Sequence, residues 1–293
     1  MAHRDVRRNG LDGMVLESDE VSLSVFPAAG GKIMDLVHRP SGRNLLWHNP
    51  RVGLAATNPG APFDDVWCGG WDEVFPTDPP CADETNSYHD HGDLWIGPWS
   101  ATLDGENALV LERASASLPC VMTKRLEVVG NAVHVSYRLV NTGYAAFDYM
   151  WDIHVAHAIR PGSRIEVTGS PQWFPEEPFP GRTGQSGADL MVTPPPEEAF
   201  TEWLWSQSTN GVVAVHHPDG SGVSIAYDTA AFPYLWLWGV YGGWRGHYVL
   251  LTEPCTSRPG SLVENAERGT AARLEAGTAL ETSVAIRVAG PDA

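Results

Sequence analysis

The sequence is poor in basic residues. It has 19 Lys and Arg against 36 Asp and Glu, which gives a formal net charge of −17. A surface of this sign repels phosphate backbones and anionic lipid headgroups. We therefore expect neither a nucleic acid nor a membrane surface as a partner.

Long apolar runs are absent as well. The longest, Ala231–Tyr241, has eleven residues and contains Pro233, so it has about half the length of a membrane span. The basic start, MAHRDVRRNG, is followed by an alternating stretch, whereas a signal peptide would need a continuous apolar segment. We therefore expect a cytoplasmic protein.

Cysteine is scarce. The chain has Cys68, Cys81, Cys120 and Cys255, and no two of them stand in a CxxC spacing. The absence of this spacing argues against a structural zinc site or a redox pair. We expect all four thiols to be reduced.

Apolar residues are plentiful enough to build a large core. They make up 43% of the chain, and 10% of the residues are aromatic. This composition excludes a disordered chain and a disulfide scaffold. Since no break in composition marks a domain boundary, we expect a single domain over residues 1–293.

Helical patterns are rare, whereas short alternating stretches recur between turn residues. The clearest stretches are Val21–Val25, Leu109–Leu111, Ala114–Leu118, Val133–Leu139, Val212–Val215, Val223–Tyr227 and Val284–Val288. The best helical candidate, Leu262–Ala272, is interrupted by Gly269 and lacks an apolar stripe. Strands that follow one another without helices favour antiparallel sheets, so we predict an all-β sandwich or barrel.

One segment departs from this rhythm, at about residues 170–200. It contains seven prolines and four glutamates. Because proline removes ladder donors, we predict a long ordered loop or arm. Its role is either a lid over a functional site or a surface insertion or subunit contact.

Three clusters of polar residues stand out, and the first reads SYHDHGDLW from residue 87. If residues 89–95 are extended, His89, His91 and Asp93 lie on one face. Two imidazoles and a carboxylate could coordinate a metal, bind sugar hydroxyls or form a surface network. The preceding stretch adds Trp71 and Glu73 as candidate site residues.

The second cluster is the strand-like stretch with the two histidines His154 and His157. Strand alternation places them on opposite faces. His154 shares its face with small and polar residues, where a ligand could approach. His157 shares an apolar face, so we expect a hydrogen-bonded core residue there.

The third cluster ends in Glu253. On a strand this residue shares a face with Val249 and Leu251, and apolar neighbours raise the pKa of a carboxyl group toward the range of a general base. The alternative is a solvated residue at a strand end. Tryptophans crowd the same clusters, including Trp71 and Trp238, and their flat faces suit pyranose rings. The combination indicates a small-molecule sugar as the partner, and the alternative is that the large aromatic side chains simply fill a broad sandwich.

Motifs in these clusters resemble those of the aldose 1-epimerase (galactose mutarotase-like) superfamily, and the similarity extends over most of the chain. The segments that carry it are FPAAGGKI from Phe26, Gly69-Gly70 with Phe75-Pro76, His91-Gly92, Asn141-Thr-Gly143, and Leu251-Thr-Glu-Pro254 with Pro259. The resemblance implies a large antiparallel β-sandwich, the galactose mutarotase-like supersandwich, with a sugar on its concave face. It implies no metal and no other cofactor.

The resemblance also implies an isomerase that interconverts the α and β anomers of a hexose or related sugar. Glu253 would be the general base at the anomeric hydroxyl, and His154 the general acid at the ring oxygen. His91 would steady the ring oxygen or a hydroxyl. The other substrate-binding candidates are His89, Asp93, Trp71, Glu73, Trp238 and Asp228, the last as the family's hydroxyl-binding Asp.

One departure from the family pattern leaves alternatives open. The substrate-binding Arg near the FP element has no counterpart, since the stretch reads WDEVF. A carbohydrate-binding or regulatory protein without turnover therefore stays possible, as does a metal-dependent sugar isomerase built on the HxHxD triplet. A glycoside hydrolase with paired carboxylates, and a sugar-phosphate substrate contacted by Arg125 or Arg245, rank lower. We expect a monomer or a homodimer.

Overall fold

Most of the chain forms β-strands, as the alternating stretches predict. The computed structural model describes residues 2–180, 191–207 and 209–291. Within these residues the strands are β1 (Ala2–Arg8), β2 (Leu11–Glu17), β3 (Val21–Phe26), β4 (Lys32–His38), β5 (Arg43–Asn44), β6 (Trp71–Val74), β7 (Cys81–Ala82), β8 (Ser87–Tyr88), β9 (Ser100–Leu103), β10 (Ala108–Ala114), β11 (Cys120–Val129), β12 (Ala132–Asn141), β13 (Phe147–Tyr149), β14 (Asp152–His157), β15 (Arg164–Gly169), β16 (Phe174–Pro180), β17 (Phe200–Ser206), β18 (Thr209–His216), β19 (Gly222–Tyr227), β20 (Tyr234–Tyr241), β21 (Tyr248–Cys255), β22 (Ala272–Leu274) and β23 (Ala279–Ala289). The helices are α1 (Phe63–Val66), α2 (Leu262–Arg268) and the 3-10 turns Pro27–Ala29, Pro196–Glu198 and Trp244–Gly246.

Two large sheets account for most of these strands. In the described part of the chain, the first sheet has 11 strands in the order β1-β2-β3-β4-β6-β14-β21-β20-β17-β16, with β5 paired to β4. The second has eight, in the order β15-β18-β19-β23-β12-β11-β10-β9. Paired strands run antiparallel in both sheets. The prediction of an all-β fold with large antiparallel sheets is confirmed.

The main core lies between the two sheets. It takes alternate residues from strands of both, such as Leu23 from β3 and Val135 from β12. In the second sheet Val135 lies opposite Val284 of β23, so two of the predicted alternating stretches are direct neighbours. A period of two buries one face of each strand and leaves the other face for solvent or for covering loops.

Two local predictions were wrong. The strand predicted over Ala114–Leu118 ends at Ala114, and residues 115–119 form a loop. The predicted helix is shorter than Leu262–Ala272, because Gly269 adopts a left-handed conformation with φ of 69° and ends it after Arg268.

The proline-rich segment is partly an edge strand and not a continuous loop. Residues Phe174–Pro180 form β16, which pairs with β17 at the end of the first sheet. At an edge, the missing N–H of a proline costs no ladder bond on the open side. The middle of the predicted arm, residues 181–190, lies outside the described residues.

The cysteines agree with the expectation of reduced thiols. All four lie in the described ranges and none forms a disulfide. Three of them are buried, and Cys81 is partly exposed. Among the described residues, no helix is long and apolar enough to cross a membrane.

The chain has two lysines, and both are buried against strand β6. Lys32 pairs with Asp72 and donates to the Gly69 carbonyl oxygen at 3.2 Å. Lys124 Nζ lies 3.2 Å from Glu73 Oε1. Because neighbouring residues of a strand point to opposite faces, the two ion pairs lie on opposite sides of the first sheet.

Glu73 is the centre of a complete polar network inside the main core. Besides the ammonium group of Lys124, Tyr137 Oη donates to Glu73 Oε1 at 2.8 Å, and Trp151 Nε1 donates to Oε2 at 2.9 Å. Burial raises the pKa of Glu73, an effect that Lys124 and the two hydrogen bonds oppose. The network ties strand β6 to the second sheet, since Lys124 and Tyr137 lie on β11 and β12.

We predict that Lys124→Met lowers the free energy of unfolding by about 3–5 kcal/mol, because it leaves the Glu73 carboxylate buried without its cation. The double variant Lys124→Met/Glu73→Gln should lose less, since no uncompensated charge remains. Urea denaturation measures both. The matched control is Arg138→Met on β12, whose ion pair with Glu281 is exposed and worth about 0–1 kcal/mol. Equal stability of Lys124→Met and Arg138→Met would contradict the prediction.

Candidate active site

A cavity of about 210 Å³ lies on the face of the first sheet that points away from the second sheet. Its floor comes from adjacent central strands, and its walls come from loops and from the edge strand β16. The residues that line it are Asp64, Asp78, His91, His154, Phe179, Trp203, Trp238, Trp244 and Glu253. Of the predicted site residues, the cavity thus brings together His154, Glu253, His91 and Trp238.

Strand pairing places His154 and Glu253 side by side. Val155 of β14 lies opposite Thr252 of β21, so in an antiparallel ladder His154 takes the position opposite Glu253. Residues directly opposite each other share a face. On the other side of β21, Trp236 lies opposite Glu253.

The Glu253 carboxyl group is buried in the floor, with only 4% of the residue exposed. Burial raises its pKa well above the ordinary value, and the nearby carboxyl of Asp78 raises it further. Asp152, two residues before His154 on the same face, has a raised pKa through burial and through Glu253. Carboxyl groups this close disfavour each other's ionisation, so Glu253 and Asp152 retain a proton at a higher pH than an isolated carboxyl group does.

The His154 ring packs among aromatic side chains. The rings of Phe63 and Trp67 meet it edge-on, each with centroids 5.5 Å away. Its Nδ1 is buried and has no hydrogen-bond partner within the described ranges. Burial lowers the pKa of His154 well below its usual value, and the positive charges of His91 and Lys32 lower it further. His154 is therefore a neutral imidazole near neutral pH.

The other histidine of this strand has a structural environment. His157 is buried, and its Nε2 lies 2.7 Å from Thr252 Oγ1 on the core side of the sheet. The prediction of a hydrogen-bonded core histidine is confirmed. Burial lowers its pKa to about 3, so it too is neutral.

His91 lies between two carboxylates. Its Nε2 is 3.2 Å from Asp78 Oδ1, and its Nδ1 is 2.8 Å from Asp90 Oδ1. The ring stacks on Phe63, with centroids 3.6 Å apart and an interplanar angle of 3°. Burial lowers the pKa of His91, but Asp78 and Asp90 outweigh burial and the pKa is raised. This histidine carries a positive charge through a wider pH range than a free imidazole.

The backbone around His91 is a tight turn, so the condition for a shared face, an extended stretch over residues 89–95, is not met. His91 has a φ of 59°, in the left-handed region that residues other than glycine rarely adopt. Gly92 follows with a φ of 71°, and a Cβ there would lie 1.8 Å from the Phe75 carbonyl oxygen. The His91 amide donates to the Asp78 carbonyl oxygen at 2.7 Å. This turn brings His91 back onto the loop after β6.

Because of the turn, the HxHxD triplet does not share a face. His89 is exposed. Asp93 is buried away from the cavity, where its Oδ2 accepts the amides of Ala116 and Ser117 at 3.1 and 2.9 Å. In the described part of the chain, no group of three or more His, Cys, Asp or Glu side chains is arranged to hold a metal ion. The arrangement that a metal site on this triplet requires, with all three side chains on one face, is not present in the described residues.

Three further candidates lie outside the cavity. Trp71 and Glu73 are buried, and they share a strand face that points into the main core, whereas Asp72 between them points to the cavity side. Alternation alone cannot tell which face of a doubly covered strand points inward. Asp228 is exposed, and its carboxylate accepts the Ala230 amide at 2.9 Å in the turn after β19. The structure thus places these three, with His89 and Asp93, away from the cavity.

Five lining residues are not among the candidate site residues named from the sequence, although Trp244 belongs to the tryptophan-rich third cluster. Asp64 lies in the four-residue helix α1 and Asp78 in the loop after β6, and no periodicity marks either residue. Trp203 of β17 lies opposite Trp238 of β20, and this signal becomes visible only once the strand pairing is known. The remaining two, Phe179 and Trp244, come from the edge strand and from the 3-10 turn after β20.

Comparison with known proteins supports the fold. Residues 108–288 match the model of a family described as "Domain of unknown function (DUF4432)". No curated protein matches the chain. Among solved structures, the chain is similar to a "putative aldose 1-epimerase" from Klebsiella pneumoniae subsp. pneumoniae MGH 78578, with 16% identity, a TM-score of 0.78, and coverage of 99% of this chain and 83% of that chain.

Two other solved structures have the same architecture. A galactose mutarotase-like protein from Lactobacillus casei ATCC 334 has 13% identity and a TM-score of 0.70, over 94% of this chain and 100% of that chain. The Slr1438 protein from Synechocystis sp. PCC 6803 has 16% identity and a TM-score of 0.73, over 99% of both chains. The predicted galactose mutarotase-like sandwich is confirmed, and identities this low establish the fold alone.

We predict that Glu253→Gln raises the free energy of unfolding, and that the gain grows between pH 5 and pH 8. The folded state raises the pKa of Glu253, so this group's contribution to stability is present below its ordinary pKa and is lost as pH rises toward the folded pKa. Glutamine has no such loss. Each unit of raised pKa corresponds to about 1.4 kcal/mol. Urea unfolding at both pH values measures the gain.

The matched control is Glu267→Gln, since Glu267 is exposed on α2. Its effect should be small and the same at pH 5 and pH 8. A gain for Glu253→Gln that does not change with pH would show that the Glu253 carboxyl is not held in its protonated form by the fold.

Proposed function

The chain belongs to the DUF4432 family, whose function is unknown, and we propose that it is an aldose 1-epimerase acting on a hexose or a related sugar. The observation that carries this proposal is the opposition of His154 and Glu253 in the floor of one aromatic-lined cavity. Anomer interconversion needs a base and an acid on either side of one hemiacetal. These two side chains supply such a pair.

In the proposed reaction, Glu253 takes the proton of the anomeric hydroxyl while His154 gives a proton to the ring oxygen. The C1–O5 bond breaks, the aldehyde rotates about C1–C2, and closure returns both protons. The pair needs one proton in total. Burial favours this proton on Glu253, because it raises the pKa of Glu253 and lowers that of His154. That state suits closure of the open-chain aldehyde, and transfer of the proton to His154 gives the state that opens the ring.

The aromatic walls support a sugar ligand. Trp238 and Trp244 lie with ring centroids 5.0 Å apart at an angle of 60°, and Trp203 and Phe179 complete the wall. Indole faces pack well against the C–H faces of a pyranose. The cavity of about 210 Å³ is smaller than the roughly 300–1,000 Å³ of sites for drug-sized ligands, which favours a single sugar ring.

A sugar-binding protein without turnover is the second candidate. It is favoured by one observation: no arginine is among the described residues that line the cavity. The cavity geometry is the same for both candidates. They differ in whether the protein accelerates the exchange of anomers that it binds.

We predict that Glu253→Gln and His154→Asn each lower the anomerisation rate by a factor on the order of 10²–10⁴, the usual contribution of a general acid or base. Polarimetry, or proton NMR of a freshly dissolved pure anomer, measures the rate. Glu267→Gln should retain wild-type activity. Full activity of Glu253→Gln would exclude this assignment, and sugar binding without any acceleration by the wild type would select the second candidate.

A further inference from the structure

Asp78 is a cavity-lining carboxylate without a role in the acid–base step proposed above. It lies in the loop after β6, and its side chain is 16% exposed. His91 contacts Asp78 at two points. Its Nε2 forms an ion pair with Asp78 Oδ1 at 3.2 Å, and its backbone amide donates to the Asp78 carbonyl oxygen at 2.7 Å. Burial raises the pKa of Asp78, the charge of His91 lowers it, and Asp90 and Asp64 raise it. The fold therefore fixes Asp78 at the cavity wall.

The surroundings of His91 indicate that it positions Asp78. Both ring nitrogens lie against carboxylates, and one ring face is covered by Phe63. A sugar hydroxyl could reach these nitrogens only by displacing Asp78 or Asp90. The Asp78 carboxylate, in contrast, makes an ion pair but no side-chain hydrogen bond within the described ranges, so its oxygens can accept from a ligand.

The charges around the cavity have one dominant sign. Asp78, Asp90 and Asp64 face His91 from the loop after β6, from its own turn and from α1, and neutral His154 faces it from β14. With Arg245 and Asp65 included, four carboxylates stand against two cations, so the excess charge is negative. The guanidinium of Arg245 is engaged by Asp64 and Asp65, at 3.8 and 2.8 Å. No lysine or arginine is among the described lining residues.

We infer that Asp78 is a substrate-binding carboxylate, positioned by His91, which accepts sugar hydroxyls and makes the cavity select sugars without an anionic group. A phosphate or a uronic carboxylate would enter a cavity that already carries excess negative charge, and electrostatic repulsion would weaken its binding. Hydroxyl groups gain charge-assisted hydrogen bonds instead. The substrate class named here rests on the proposed function, whereas the positioning of Asp78 by His91 does not.

The test compares Asp78→Asn with the wild type on D-glucose, D-galactose, D-glucose 6-phosphate and D-glucuronate. Binding is followed by the fluorescence of the cavity tryptophans, and turnover by polarimetry. We expect the wild type to bind a neutral hexose at least about tenfold more tightly than the two anionic sugars. Asp78→Asn should raise KM and Kd for the neutral hexose about tenfold or more, the weight of a hydrogen bond to a charged group, with a smaller change in kcat.

Two further measurements separate positioning from a general loss of structure. Nitrogen-15 NMR of the imidazoles over a pH series should show that the pKa of His91 is raised in the wild type and lower in Asp90→Asn, because the Asp90 carboxylate is one of the groups that raise it. Asp90→Asn should raise KM more than it lowers kcat. Asp12→Asn on β2 is the control, since the Asp12 side chain is 89% exposed, and it should match the wild type in every readout.

The outcomes separate the two proposals. Neutral-hexose binding that is lost in Asp78→Asn, without anomerisation by the wild type, supports this inference and overturns the proposed function. Wild-type affinity in Asp78→Asn, or binding of the 6-phosphate as tight as that of the hexose, overturns this inference while the proposed function stands. A His91 pKa that is the same in the wild type and in Asp90→Asn overturns its positioning role, and no binding of either neutral hexose overturns both proposals.

Discussion

The free-energy cost of removing charged side chains from water determines how the polar residues of β6, β14 and β21 are arranged on both faces of the first sheet. On the face toward the second sheet, Glu73 has a lysine, a phenol and an indole as partners, which oppose the rise in its pKa that burial causes. On the opposite face Glu253 and His154 are also buried, and within the described ranges their side chains have no such partners. Burial with partners yields a rigid connection between the sheets. Burial shifts pKa values on both faces, and burial without partners also leaves hydrogen-bonding capacity free, which is the condition for acid–base chemistry.

The covering loops supply what the strands cannot. A strand fixes the direction of a side chain through its pairing, so His154 and Glu253 owe their opposition to ladder register. The charge at the wall comes from the turn of His91, whose left-handed backbone is held by the Asp78 carbonyl oxygen and by close contact of Gly92 with Phe75. Backbone conformations of this kind persist only where the surroundings determine them several times over. The cavity thus combines a floor of regular structure with a wall of constrained irregular structure.

Periodicity in the sequence was sufficient for the sheet architecture and for the opposite faces of His154 and His157. It failed where neighbours come from distant parts of the chain. Nothing local distinguishes the inward face of β6. The sequence therefore predicts Trp71 and Glu73 as site residues, whereas in the structure it is Asp72 that points to the cavity side of the sheet. The possibility of an extended HxHxD triplet stays open in the sequence because a positive φ at His91 leaves no trace in residue alternation. Asp78 was missed for a related reason, since its importance arises from a contact with a turn thirteen positions later.

The positions of Lys32 and Lys124 have a practical consequence for chemistry on this molecule. With both ε-amino groups inside the fold, arginine supplies the permanently cationic side chains of its outer surface. Amine-directed reagents, such as succinimidyl esters used for biotin or dye attachment, find no lysine on the native molecule. Acylation of either lysine therefore reports that the surrounding sheet has opened, which makes the reagent a probe of global unfolding.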